Sequence, residues 1–140
     1  EVTTCRICLT EEEDDDNPLI TPCKCSGSMR FVHHECLRSW FQLKRQIRQS
    51  AFISTFYWSG LECELCKTLY PSEIKTKTGH SLKIIEYETP RDGRDYLVLE
   101  SISSTVNKVI HVVDLYHCSS FFIGRGQEAD VRITDITVSR

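Results

Sequence analysis

CRICLTEEEDDDNPLITPCKCSGSMRFVHHEC, residues 5–36, answered by CELC at residues 63–66, decides how this chain folds. Seven cysteines and one histidine in these stretches form four close pairs: Cys5/Cys8, Cys23/Cys25, His33/Cys36 and Cys63/Cys66. Thiolates and imidazoles spaced this closely can each supply half of a tetrahedral zinc site. Eight ligands make two four-coordinate ions and leave no open position for a catalytic water. Two Zn2+ are therefore expected as cofactors, and the metal is expected to build a shape rather than to do chemistry.

The same residues could instead form a disulfide framework or be ordinary buried thiols. Disulfides need an oxidising compartment, and the opening EVTTCRIC carries no secretory signal. Paired spacing argues against coincidence, and Cys118 stands outside the pairs in an apolar run, where an inert buried thiol is expected. His33 and Cys36 open the stretch HHECLRSWFQLKRQI and, three residues apart on a helix, share one face of its first turn. His34 competes as a ligand but leaves a one-residue gap to Cys36 and faces away. Leu37, Trp40, Phe41 and Ile47 give that helix an apolar face. Pro22 and CSGSM supply turn chemistry around the second ion.

Four cysteines, a histidine and three cysteines occur in RING variants and in PHD fingers alike. Seven residues separate Cys25 from His33, more than PHD fingers have, and Leu61 stands where they carry an aromatic. From Cys5 to Tyr70 the chain resembles the RING-CH (variant RING) domain of membrane-associated RING-CH ubiquitin ligases. CRIC, NPLITPCKCSGSMRFVHHECLRSW and CELCK carry the resemblance. It implies a cross-brace: Cys5, Cys8, His33 and Cys36 on one zinc, and Cys23, Cys25, Cys63 and Cys66 on the other. A module of about 70 residues rarely holds together without such staples.

The resemblance also implies an activity, that of a RING-type E3 ubiquitin transferase without a covalent intermediate. Such a domain binds a ubiquitin-charged conjugating enzyme (E2~ubiquitin) and orients its thioester for attack, so positioning supplies the catalysis. Ile7, Trp40 and Lys67 are the implied contact residues, with Lys67 where RING domains often carry a cationic linchpin. Lysine offers fewer fixed donors than arginine there. Glu64 stands where many RING domains have proline. The alternative function is a non-catalytic zinc-binding adaptor, with a PHD-type histone reader a more distant one. Lys44, Arg45 and Arg48 read as a solvated basic face, with contact to ubiquitin or an acidic partner as the alternative, and Glu11–Asp16 as an extended acidic run with no specific job.

Domain expectations follow: RING-CH over residues 1–74, a linker over 75–92 that includes the polar KTKTGHS, and a β segment over 93–140. DYLVLESI, NKVIHVVDL, SSFFIGRG and ADVRI have the lengths and β-branched content of antiparallel strands. The closing FFIGRGQEADVRITDITVSR resembles a forkhead-associated (FHA) domain, a phosphothreonine-binding sandwich, through Gly124-Arg125, Asp130-Val131-x-Ile133 and Ser139-Arg140. By that resemblance Arg125 and Ser139 hold the phosphate. The family's later histidine and asparagine do not follow, so the first half of such a domain, poorly buried and feeble in phosphopeptide binding, is expected, as is a longer parent protein. The fold class is thus small zinc-stabilised α+β followed by partial all-β.

A net charge of −3 gives no electrostatic case for nucleic acid. No apolar run reaches the roughly 18 residues that span a bilayer. An intracellular setting, cytoplasmic or nuclear, is expected.

Overall fold

The computed structural model describes residues 3–102 and 106–133. They divide into two compact units, one holding residues 3–45, 58–87 and 106–108, the other residues 46–57, 88–102 and 109–133.

In the first unit, β1 (Leu19–Ile20) pairs antiparallel with β2 (Val32–His33), Ile20 opposite Val32. Between them Gly27–Arg30 make one 3₁₀ turn. α1 (His34–Lys44) follows β2 directly. Its first free amides are met from the preceding loop: Glu35 N–H donates to Asn17 Oδ1 at 2.9 Å and His34 N–H to the Pro18 carbonyl at 3.0 Å. Leu37 and Phe41, one turn apart, are buried together with Cys5, Val32, Leu61, Cys63, Ile84 and Ile85.

The helix stops earlier than its apolar pattern suggests. Arg45 N–H turns back onto the Gln42 carbonyl and the chain enters β3 (Arg45–Gln49), so Ile47 is exposed on a strand instead of lying on a helical face. Pairing with a neighbouring strand overrides the local helical pattern. KTKTGHS is likewise more than a linker: β5 (Glu73–Lys75) and β6 (Ser81–Lys83) form an antiparallel hairpin, Ile74 opposite Leu82. Thr76 N–H donates to the His80 carbonyl at 2.7 Å across its turn.

The second unit is built on a four-stranded sheet of order β3-β4-β8-β7, with β4 at Ile53–Trp58, β7 at Tyr96–Glu100 and β8 at Lys108–Asp114. β7 and β8 are antiparallel, Val98 opposite Val112. Ile53, Val113 and Val131 form the buried cluster, with Phe52, Leu99, Cys118 and Phe121 packed against it. The Cys118 thiol donates to the Asp114 carbonyl at 3.5 Å, consistent with a structural thiol. β9 (Ile123–Gly124) and β10 (Val131–Arg132) pair in parallel, so the all-antiparallel expectation fails for this last pair. The β segment also does not stand on its own strands: β3 and β4, from the stretch between the third and fourth ligand pairs, complete the sheet. This covers apolar residues of β8 that were expected to be poorly buried. The part beyond the zinc ligands is therefore β-rich.

Candidate metal centres and the adjoining groove

Both C-x-x-C pairs sit in the same local structure. In the first, Leu9 N–H donates to the Cys5 carbonyl at 2.8 Å and Cys5 N–H to the Thr10 carbonyl at 2.9 Å. In the second, Lys67 N–H donates to the Cys63 carbonyl at 2.9 Å and Cys63 N–H to the Thr68 carbonyl at 2.9 Å. Leu9 and Lys67 both take positive φ, 65° and 61°, the left-handed bend that folds each loop back over its metal. Thr10 Oγ1 lies 3.2 Å from Cys8 Sγ, and Thr68 Oγ1 lies 3.2 Å from Cys66 Sγ. Against a thiolate the hydroxyl is the donor. The Thr10 hydroxyl draws the Cys8 thiol down to about 6, and the Thr68 hydroxyl draws Cys66 down to about 5. Burial instead pushes Cys25 and Cys36 up to about 12. A bound divalent cation makes a coordinating thiol a thiolate outright.

The ligand atoms converge in two clusters, Cys5, Cys8, His33 and Cys36 in one and Cys23, Cys25, Cys63 and Cys66 in the other, each with all four atoms within 4.8 Å of one another. Tetrahedral zinc, with ligand bonds of about 2.0–2.3 Å, sets neighbouring donors roughly 3.5–3.8 Å apart. The separations bracket that range: His33 Nδ1 is 3.2 Å from Cys8 Sγ and 3.9 Å from Cys36 Sγ, and Cys25 Sγ is 3.6 Å from Cys63 Sγ. Two sites of four Cys/His ligands each therefore fit two zinc ions. The first pair of ligands groups with the third and the second with the fourth, so each ion ties together two sequence-distant loops.

The histidine question resolves on hydrogen bonding. His33 donates from Nε2 to the Glu12 carbonyl at 2.5 Å, which leaves Nδ1 as the lone pair facing the thiols. His34 is turned away, its Nε2 donating to the Lys83 carbonyl at 2.7 Å, where it holds the hairpin segment against α1. Glu12 belongs to the acidic run, whose expected lack of a job is corrected here. Glu13 Oε2 accepts from Leu19 N–H at 2.9 Å, and Asp14 Oδ1 accepts from the amides of Asp16 and Asn17 at 2.9 and 2.7 Å. An Asx turn thus gives the six acidic residues a defined path.

Beside the metal clusters lies an open groove of about 260 Å³, lined by Arg6, Ile7, Met29, Leu37, Trp40, Cys63, Glu64, Leu65 and Tyr70. Ile7 is 48 % exposed, Met29 45 % and Leu65 60 %, three exposed apolar side chains lining one groove on a small zinc scaffold. Ile7 and Leu65 hold the same position in the two loops. Trp40 is half-buried, edge-on to Tyr70 at 5.5 Å between centroids, with Lys44 Nζ 4.2 Å from the centre of its ring. Lys44 also donates to the Gly60 carbonyl at 3.1 Å, so this member of the basic patch packs on the groove tryptophan.

Of the sequence-expected contact residues, Ile7 and Trp40 meet in the groove, whereas Lys67 lies exposed beside the last knuckle and does not line it. Arg125 lies in the connection between β9 and β10, and Ser139 lies outside the described residues. Sequence reasoning missed Arg6, Met29, Leu65, Tyr70 and both threonines. The repeated C-x-x-C-x-T, in CRICLT and CELCKT, is the signal that could have found the threonines and Leu65.

Residues 5–66 match the RING-variant domain family, a span that includes all eight ligands. The chain is 44 % identical over 73 residues to the E3 ubiquitin-protein ligase MARCHF8 of Bos taurus, covering 52 % of this chain and 20 % of that protein. It is 43 % identical over 101 residues to the E3 ubiquitin-protein ligase MARCHF7 of Rattus norvegicus, covering 68 % of this chain and 14 % of that one. Against MARCHF7 of Pongo abelii the likeness is 29 % over 136 residues, 97 % of this chain and 18 % of the relative. The chain thus spans a fifth or less of the length of these relatives. No solved structure matches it. Among the described residues no helix is long and apolar enough to cross a membrane.

Proposed function

We propose that the chain is the recruiting module of a RING-type E3 ubiquitin transferase, docking a ubiquitin-charged conjugating enzyme in the groove between its two zinc loops. One observation carries this reading: exposed Ile7 and Leu65 and half-buried Trp40 line one groove beside the two metal-ligand loops. The chemistry is positional. All eight zinc ligands are occupied by the fold, so the thioester and its acceptor lysine react with each other, and the domain supplies orientation. Ile7 and Trp40 serve as contacts with the enzyme, and Lys67 as a cation near the ubiquitin. Titrating charged conjugating enzymes against the chain by NMR tests the docking, with shifts expected at Ile7, Leu65 and the Trp40 indole.

Glu64 and Lys67 favour a second reading, a zinc adaptor that binds such an enzyme without promoting transfer, because neither residue is the stronger proline or arginine of many RING domains. Lysine discharge separates the two. The FHA-like reading of residues 93–140 extends the proposal to phosphothreonine recognition through Arg125 and Ser139. It is supported by the placing of Arg125 directly after β9 and of Asp130 directly before β10. Binding of a phosphothreonine peptide that is lost in Arg125→Ala tests it. The proposed organisation keeps RING-CH at 1–74, a connector at 75–92 and the β segment at 93–140, in an intracellular protein.

A further inference from the structure

Arg6 sits between the first two ligands, yet its side chain reaches away from the first site. Its guanidinium donates to Cys23 Sγ of the second site at 3.6 Å, to the Met29 carbonyl at 2.8 Å, and to the Tyr70 hydroxyl at 2.6 Å. Its own amide is pinned to the Phe31 carbonyl at 3.0 Å. The segments around Cys23, Met29 and Tyr70 therefore share one planar fork.

Two physical facts give that fork a role. Four thiolates around a divalent zinc leave the second site with two net negative charges, and Arg6 is the cation in contact with one of them. The hydroxyl it holds belongs to Tyr70, whose ring stands edge-on to Trp40 at 5.5 Å and against Phe41 at 5.7 Å. Cys23, Arg6, Tyr70 and Trp40 thus form a continuous line from metal ligand to groove. We infer that Arg6 is a positioning residue that couples the four-cysteine zinc site to the groove, fixing the Tyr70 ring and through it the orientation of Trp40. The inference rests on reading the groove as the conjugating-enzyme surface. A lysine at this position has a compact, rotatable charge and no planar fork, so it cannot hold the three partners in the same fixed geometry.

The test compares Arg6→Gln, Arg6→Lys and Tyr70→Phe in the full chain. Cadmium NMR of the metal-substituted protein reports the four-sulfur and three-sulfur sites separately. The Trp40 indole signal, assigned with Trp58→Phe, reports the groove. Arg6→Gln is expected to release metal from the four-sulfur site about tenfold faster, as outer-sphere losses do, while the other site keeps its rate. Both Arg6→Gln and Tyr70→Phe should shift the Trp40 indole signal, and Arg6→Lys should fall between Arg6→Gln and the parent. Unchanged release in Arg6→Gln, or an unmoved Trp40 signal in Tyr70→Phe, overturns the inference. Should Arg6→Gln fail to fold, Tyr70→Phe and Arg6→Lys decide it by the same signals. If the parent chain binds no conjugating enzyme, the functional reading falls, whereas the metal and indole readouts still decide Arg6.

Discussion

His33 donates its Nε2 proton to the backbone carbonyl of Glu12 at 2.5 Å, so the orientation of a metal ligand depends on the path of an acidic loop. The dependence is on backbone, not on charge. Replacing Glu12 with Gln should leave metal retention at the first site unchanged. Deleting residues 11–14, which removes the carbonyl and the Asp14 turn, should weaken it about tenfold. Chelator competition measures both.

The Thr10 and Thr68 hydroxyls each bond the second cysteine of their knuckle. Thr10→Val and Thr68→Val keep the side-chain shape and remove the donor. Each should cost about tenfold in zinc affinity, at the Cys5 site and the Cys63 site respectively. Equal loss at both sites from either change would mean that the fold, and not the local bond, was damaged.

His111 lies half-buried on β8, its Nδ1 2.9 Å from Thr55 Oγ1, and burial holds its pKa below the usual 6.5. The folded protein therefore takes up this proton at lower pH than the unfolded chain does. Stability from this group is complete above about pH 6.5 and falls as pH drops from there toward the folded value, then levels off. Protection of β8 amides against hydrogen exchange, relative to their intrinsic rates, should fall as pH drops over that window in the parent, and His111→Phe should flatten the dependence.

Trp40→Ala should leave the zinc content at two per chain and reduce affinity for a charged conjugating enzyme by about 30-fold, the scale of a central aromatic anchor. Ile7→Ala and Leu65→Ala should each cost less. Lys67→Ala should change the transfer rate more than the binding, because Lys67 lies outside the groove. Binding isotherms and single-turnover discharge distinguish the two effects.

What was legible in the sequence was what chemistry spaces rigidly. Zinc fixes the separation of its donors, so four close pairs announced two sites, and their flanking text announced the groove through Ile7 and Trp40. Long-range pairing left no comparable mark. The pattern Leu37, Trp40, Phe41, Ile47 runs on as a helix, but residues 45–49 pair with β4 at Ile53–Trp58, in a sheet that only β7 and β8, from much later in the chain, complete. The acidic run looked idle because its main work is done by one carbonyl, which composition cannot reveal. Arg6 was hidden for a related reason: its three partners are 17, 23 and 64 residues away.

The central claim is that this two-zinc scaffold exists to activate a charged conjugating enzyme. Discharge of ubiquitin from a panel of charged conjugating enzymes to free lysine, with and without the chain, tests it most directly. At least one enzyme should discharge faster with the chain present, and the acceleration should vanish on zinc removal and in Trp40→Ala. If no enzyme in a broad panel responds, or if Trp40→Ala responds as the parent does, the account is wrong.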